Sequence, residues 1–171
     1  MTAQETEQTR AEKAYELGID YEKRYRGCGQ CTFAAVVDAL GLERDELFQA
    51  ATGFAAGVGL AGDGCCGAYL GGVLAMGDRV GRSRAQFDDV DGVRFRTHNL
   101  VRAYRQRFLD AYGSVICREI QTHLMGRSYD LTNPEEFEAF EEAGGHARIC
   151  PVVVGSGARW VIELLEAEGL A

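Results

Sequence analysis

Residues 62–81 read GDGCCGAYLGGVLAMGDRVG. Two adjacent cysteines, Cys65 and Cys66, stand among glycines and lead straight into a run that is apolar on most sides. That pattern predicts a central, buried helix over about 65–81. Helical spacing continues outward in both directions. Toward the N-terminus, Ala11, Ala14, Tyr15, Leu17, Tyr21 and Tyr25 recur on a charged background between about Gln8 and Arg26, with Gly27 as the stop. CTFAAVVDALG (31–41) closes on Gly41 as a helix C-terminus does, and ERDELFQAATGF (43–54) places acids in its first turn, where the macrodipole favours them.

Toward the C-terminus, residues 82–96 are charged and turn-rich and predict a surface loop with a short ordered piece at 93–95. A helix follows over about Thr97–Tyr112, with Leu100, Val101, Tyr104, Phe108 and Leu109 inward, an arginine-bearing outer face (Arg102, Arg105, Arg107) and Gly113 as its end. Ser114 can start SVICREIQTHLMG (114–126). Thr132-Asn133-Pro134-Glu135-Glu136 has the polar cap, first-turn proline and acids of a helix opening, and the last helix begins at Cys150-Pro151. No alternating strand pattern is longer than VVV (152–154). The expectation is an all-α, single-domain helical bundle of about six to seven helices spanning 1–171, with cysteines at helix N-termini and residues 1–8 flexible.

A formal charge of −8 over 171 residues argues against a nucleic-acid partner or an anionic membrane surface, both of which call for a basic patch. The polar, acidic start MTAQETEQTR has no apolar core of an export signal, and glycine, aspartate and arginine interrupt every apolar run well short of a membrane span. A cytoplasmic location is the expectation, and there six cysteines point to ligands or redox groups more than to structural disulfides.

Position sharpens that reading. Cys31, Cys66, Cys117 and Cys150 each fall within a turn of an expected helix start, separated by 35, 51 and 33 residues. A helix N-terminus presents unpaired N–H groups and about half a positive charge, which favours the thiolate needed for metal binding or disulfide chemistry. Four such ends are therefore expected to converge on one pocket. Cys28-Gly29-Gln30-Cys31 is a CxxC, either half of a metal site or a reversible dithiol. The neighbouring side chains of Cys65 and Cys66 diverge, so the two are not expected to bind one metal ion together, and Cys65 reads as a further ligand to a larger cluster or a nearby redox thiol. His98, His123 and His146 are scattered and read as surface or capping residues, Met76 and Met125 as core filler, and Trp160 as a core anchor. GVGLAGDG lacks the GK[ST] that would make it a phosphate cradle.

Cys66-Gly67-Ala68-Tyr69-Leu70-Gly71 reads CGAxxG, and this segment resembles the small redox-active protein family named for a C-GCAxxG-C-C pattern. QCTFAAVVDALGL is similar to that family's first-cysteine helix, GFAAGVGLAGDGCCGAYLGGVLAMG to its glycine-rich centre, and Cys117-Arg118 and Cys150-Pro151 to its third and fourth cysteines, so the likeness runs from about Tyr15 to Leu165. The resemblance implies an all-helical fold and a redox or metal-binding role. A related domain occurs in split-Soret-type cytochromes, which carry haem and an iron–sulfur centre. This chain departs from them in lacking any CxxCH, so no covalent haem is expected, and it departs from the four-cysteine pattern in adding Cys28 and Cys65.

The leading expectation is an iron–sulfur protein in which Cys31, Cys66, Cys117 and Cys150 hold a cluster, extended by Cys28 and Cys65 if it is larger, for electron transfer or small-molecule reduction. Its partner would be a redox protein or a small molecule, and a homodimer is compatible with the sequence. The alternatives are a metal-free thiol–disulfide redox protein and a zinc-binding structural or sensing module.

Overall fold

In the computed structural model, which describes residues 8–171, eight α-helices form one bundle, and no strand occurs among the described residues. The expectation of flexibility for 1–8 lies, apart from Gln8, outside the described residues. The helices are α1 (Arg10–Tyr25), α2 (Cys28–Ala39), α3 (Asp45–Ala50), α4 (Gly67–Val80), α5 (Val93–Tyr112), α6 (Cys117–Met125), α7 (Pro134–Glu142) and α8 (Cys150–Ala167). The count exceeds the expected six to seven, and α3 has only six residues. Among the described residues no helix is long and apolar enough to cross a membrane.

Local chemistry accounts for most of the helix ends. Thr9 caps α1 in a full capping box: its hydroxyl accepts from the Glu12 N–H at 3.2 Å, and the Glu12 carboxylate accepts from the Thr9 N–H at 2.9 Å. Asn133 Oδ1 accepts from the Glu135 and Glu136 amides at 2.9 and 3.1 Å, with Pro134 in the first turn of α7. Two boundaries differ from the sequence expectation. Gly27, at φ 87°, turns the chain so that α2 begins at Cys28 instead of Cys31. Gly92, at φ 67°, does the same for α5, which absorbs the ordered piece at 93–95.

The core gathers around α8, which packs against α1, α2, α4 and α5 and buries Val153, Val154, Ala158, Val161, Ile162 and Leu165. Close approach of α1 and α8 depends on two glycines: a Cβ on Gly18 would lie 2.9 Å from the Gly155 Cα, and one on Gly155 would lie 2.7 Å from the Tyr15 carbonyl oxygen. An aromatic group fills the space between α4, α5 and α8. Tyr69 and Tyr104 stack at 5.4 Å, Phe108 meets both edge-on, and Trp160 packs on Phe108 at 5.3 Å. The Tyr104 hydroxyl donates to the Ala68 carbonyl at 3.1 Å, fixing the first turn of α4. The N-terminal ends of α2, α4, α6 and α8 lie around one cavity of this bundle.

Candidate functional site

Two of the cysteines are joined through their backbones. Cys66 is the N-cap of α4 and Cys117 the first residue of α6. The segments leading into these helices run antiparallel: the Cys66 N–H donates to the Val115 carbonyl at 2.7 Å, the Cys117 N–H to Gly64 at 3.0 Å and the Arg118 N–H to Gly62 at 2.9 Å, around an isolated bridge between Cys65 and Ile116. Two helix starts distant in sequence are thereby held side by side.

The other two arrive through tight turns. Cys28 is the first residue of α2, after Arg26 at φ 61°, ψ 179° and Gly27 at φ 87°. The Arg26 conformation belongs essentially to glycine and costs on the order of 1–3 kcal/mol in another residue, a cost that marks functional segments. Cys150 opens α8 after one π-helical turn, Gly145–Ile149, in which the Arg148 and Ile149 amides both donate to the Gly144 carbonyl.

Cys28, Cys66, Cys117 and Cys150 line one cavity of about 210 Å³. Each comes from the N-terminal end of a different helix, and all are free thiols. The remaining wall is mostly apolar, with Ile120, Leu124, Leu131, Phe137, Phe140 and Ile149, and the polar groups reaching it are Glu22, Arg26, Gln121 and His146.

Three of these thiols, Cys28, Cys117 and Cys150, are pushed above their ordinary range. Hydrogen bonding to Cys66, followed by burial, pushes the Cys28 thiol well up, against the pull of an amide N–H from Ala56. Burial, then the nearby Cys28, raises Cys150. Burial takes Cys117 up to about 12, opposed by Gln121, whose Nε2 lies 3.7 Å from the sulfur and whose Oε1 accepts from the Tyr129 N–H at 2.9 Å. At Cys28, Cys117 and Cys150, burial and the neighbouring thiols outweigh the stabilisation of thiolate that a helix end alone provides.

Cys31 and Cys65 stand apart from this group. Cys31, one turn along α2 from Cys28, is buried beside the Glu22 carboxyl without lining the cavity, and donates to the Arg26 carbonyl at 3.1 Å, next to a groove lined by Tyr21, Gln30, Asp38 and Phe48. Of the CxxC pair, Cys28 and not Cys31 faces the cavity. Cys65 is part-buried near Tyr69, away from the cavity that its neighbour Cys66 lines, so the adjacent side chains do diverge. His98 and His123 are exposed. His146, expected as a surface or capping residue, instead reaches the cavity, its Nδ1 paired with Glu141.

Sequence reasoning passed over Glu22 and Gln121, and a signal existed for each. Ala11, Ala14, Gly18 and Glu22 are the buried residues of α1, spaced three, four and four, so Glu22 occupies a core position of an otherwise small-residue stripe. Gln121 lies one turn beyond Cys117 on the buried face of α6.

A family model described as "Putative redox-active protein (C_GCAxxG_C_C)" matches residues 27–164. The chain belongs to this family. No curated protein and no solved structure matches it. The matched span of this C_GCAxxG_C_C member contains all six cysteines, while Glu22 and Arg26 precede it. The family's pattern sets cysteine next to alanine with glycine before it; here the order is Cys66-Gly67-Ala68. Geometry accounts for glycine at the second place, because a Cβ on Gly67 would overlap the Cys28 sulfur and crowd the Phe54 carbonyl oxygen at 2.8 Å. In this member the thiol sits at the N-cap itself.

Proposed function

We propose that the protein is a redox-active iron–sulfur protein in which Cys28, Cys66, Cys117 and Cys150 ligate one cluster, used for electron transfer or small-molecule reduction. The observation that carries this reading is the convergence of four cysteines, each from a separate helix N-terminus, on one cavity. Such ends supply N–H groups and positive potential toward the ligand sphere, and all-thiolate donor sets suit soft metals and iron–sulfur units. A bound cluster would supply one-electron redox chemistry at the thiol wall. The chain's own residues hold the ligands, direct the Ala56 and Gln121 donors at Cys28 and Cys117, and keep the site behind apolar side chains.

The rival readings receive less support. Thiol–disulfide exchange with a partner requires an accessible sulfur, whereas Cys66 and Cys117 are buried. Among the described residues no three His, Cys, Asp or Glu side chains form a group that could hold a metal ion, and a zinc ribbon would pair the CxxC of Cys28–Cys31 with a second one, which the sequence lacks. Operation in a reducing compartment, with a redox protein or a small molecule as partner, fits six free thiols.

Anaerobic purification followed by iron, zinc and acid-labile sulfide analysis tests the reading. A brown protein with iron and sulfide is expected. Stoichiometric zinc without iron, or a metal-free protein that reversibly loses hydrogen to form a disulfide, would replace it with one of the rivals.

A further inference from the structure

Residues 79–107 carry eight arginines and three aspartates, a formal charge of +5 inside a chain of −8, so the other residues carry −13. Within that basic stretch, the turn joining α4 to α5 and the start of α5 leave large apolar side chains in water: Val90 is 85% exposed, Phe87 69% and Phe95 55%. Burial ordinarily removes such side chains from solvent. Here the turn itself holds them out. The buried Asp89, at φ 53°, accepts from the Arg94 N–H at 3.2 Å and lies 3.3 Å from the Arg94 guanidinium. The Asp89 and Gly92 amides donate to the Gln86 and Asp89 carbonyls at 3.0 and 2.9 Å. Arg82 donates to the Phe87 carbonyl at 3.0 Å and lies over its ring, and Arg94 lies over Phe95. Arg84, Arg96 and Arg105 are exposed and form no ion pair among the described residues. None of these side chains lines the four-cysteine cavity, and α4 runs about 20 Å between Cys66 and this turn.

We propose that this face docks an acidic protein, one whose carboxylates meet Arg84, Arg96 and Arg105 and whose apolar side chains cover Phe87, Val90 and Phe95. Aromatic side chains beside arginines are the composition of interface centres. Charge complementarity selects the occupant. A second copy in a two-fold contact would set this basic face against itself, which like-charge repulsion disfavours. A nucleic acid would bring its phosphates past the exposed Asp88 and Asp91, against a molecule that is strongly negative elsewhere, and phosphates gain nothing from Val90. An acidic protein surface satisfies both halves of the face, because carboxylates pair with guanidinium groups and an apolar centre buries the turn. The turn is already fixed by its own hydrogen bonds, so docking spends little on ordering it. Binding here is independent of what the cysteine cavity holds.

Fluorescence anisotropy with the full chain tests the assignment, using three labelled probes: an amphipathic helical peptide of glutamate and leucine, an all-glutamate peptide of equal net charge, and a single-stranded oligothymidylate. The glutamate–leucine peptide is expected to bind about tenfold more tightly than the all-glutamate one, the size of one interface hot spot, and to weaken as salt rises. Phe87→Ser with Val90→Ser should erase the difference between the peptides. Arg84→Glu with Arg96→Glu should abolish binding of both, and circular dichroism checks that the variants fold. Equal affinity for the two peptides, binding of neither, or a preference that survives the Phe87 and Val90 substitutions would overturn the proposal. Tighter binding of the oligothymidylate would overturn it in favour of a nucleic acid. An oligomer seen by sedimentation that the Phe87 and Val90 substitutions dissolve would assign the face to a second copy instead.

Discussion

Val58 is a β-branched residue held at φ 67°, in the middle of five consecutive residues of positive φ: Ala56 46°, Gly57 79°, Val58 67°, Gly59 61° and Leu60 66°. An L-residue in the left-handed region costs about 1–2 kcal/mol, and Val58, half exposed, recovers little of it by packing. Val58→Gly should therefore raise the unfolding free energy by about 1 kcal/mol after the added chain entropy of glycine is counted; a lower denaturant midpoint would contradict the strain. At Glu22, burial, opposed by the Cys31 thiol and Arg26, moves the carboxyl from 4.5 up to about 7. Because the native state then holds a proton that the unfolded chain releases, the associated stability is fully present below pH 4.5 and is lost as pH rises through about 7. The loss in the metal-free protein is roughly 3 kcal/mol, and Glu22→Gln should flatten the profile of denaturant midpoint against pH. Neither feature was fully legible. Glu22 could be found from its place in the α1 stripe, but Ala56, Val58 and Leu60 carry no sequence signal for positive φ, because tertiary closure of the loop over Cys28 imposes it.

At the scale of elements, the contact between α2 and α4 sets how near Cys28 comes to Cys66. A Cβ on Gly71 would collide with the Gly29 carbonyl oxygen, and one on Gly29 would lie 2.6 Å from the Phe54 Cβ. Gly71→Ala is predicted to cost about 1–3 kcal/mol and to lower metal retention, since backbone cannot yield as a side chain does. Gly77→Ala, on the same helix but facing open space, should instead stabilise by about 0.5–1 kcal/mol. Thermal melts of the two variants moving in the same direction would refute this account of the α2–α4 contact. Helix existence was readable from caps and periodicity, as Asn133-Pro134 and Gly113 show. The start of α2 was not, because glycine at position 29 speaks against a helix interior by its propensity. Its smallness serves close packing against Phe54 and Gly71, and the turn belongs to Gly27. That displacement of one helical turn is why Cys28, and not Cys31, enters the cavity.

Across the whole molecule, the bundle places the starts of α2, α4, α6 and α8 around one cavity although their cysteines span residues 28–150. Sequence position alone could indicate that cysteines sit at helix ends; which sulfur of a CxxC or CC pair faces inward depends on helix phase, and phase is set by packing on α8 and by the backbone pairing of the Cys66 and Cys117 segments. The most direct test of the central claim is iron content per chain after anaerobic reconstitution of six single cysteine-to-alanine variants, each checked for helicity. Cys28→Ala, Cys66→Ala, Cys117→Ala and Cys150→Ala should lose most of their iron, while Cys31→Ala and Cys65→Ala should retain it. Retention by Cys28→Ala together with loss by Cys31→Ala would contradict the assignment.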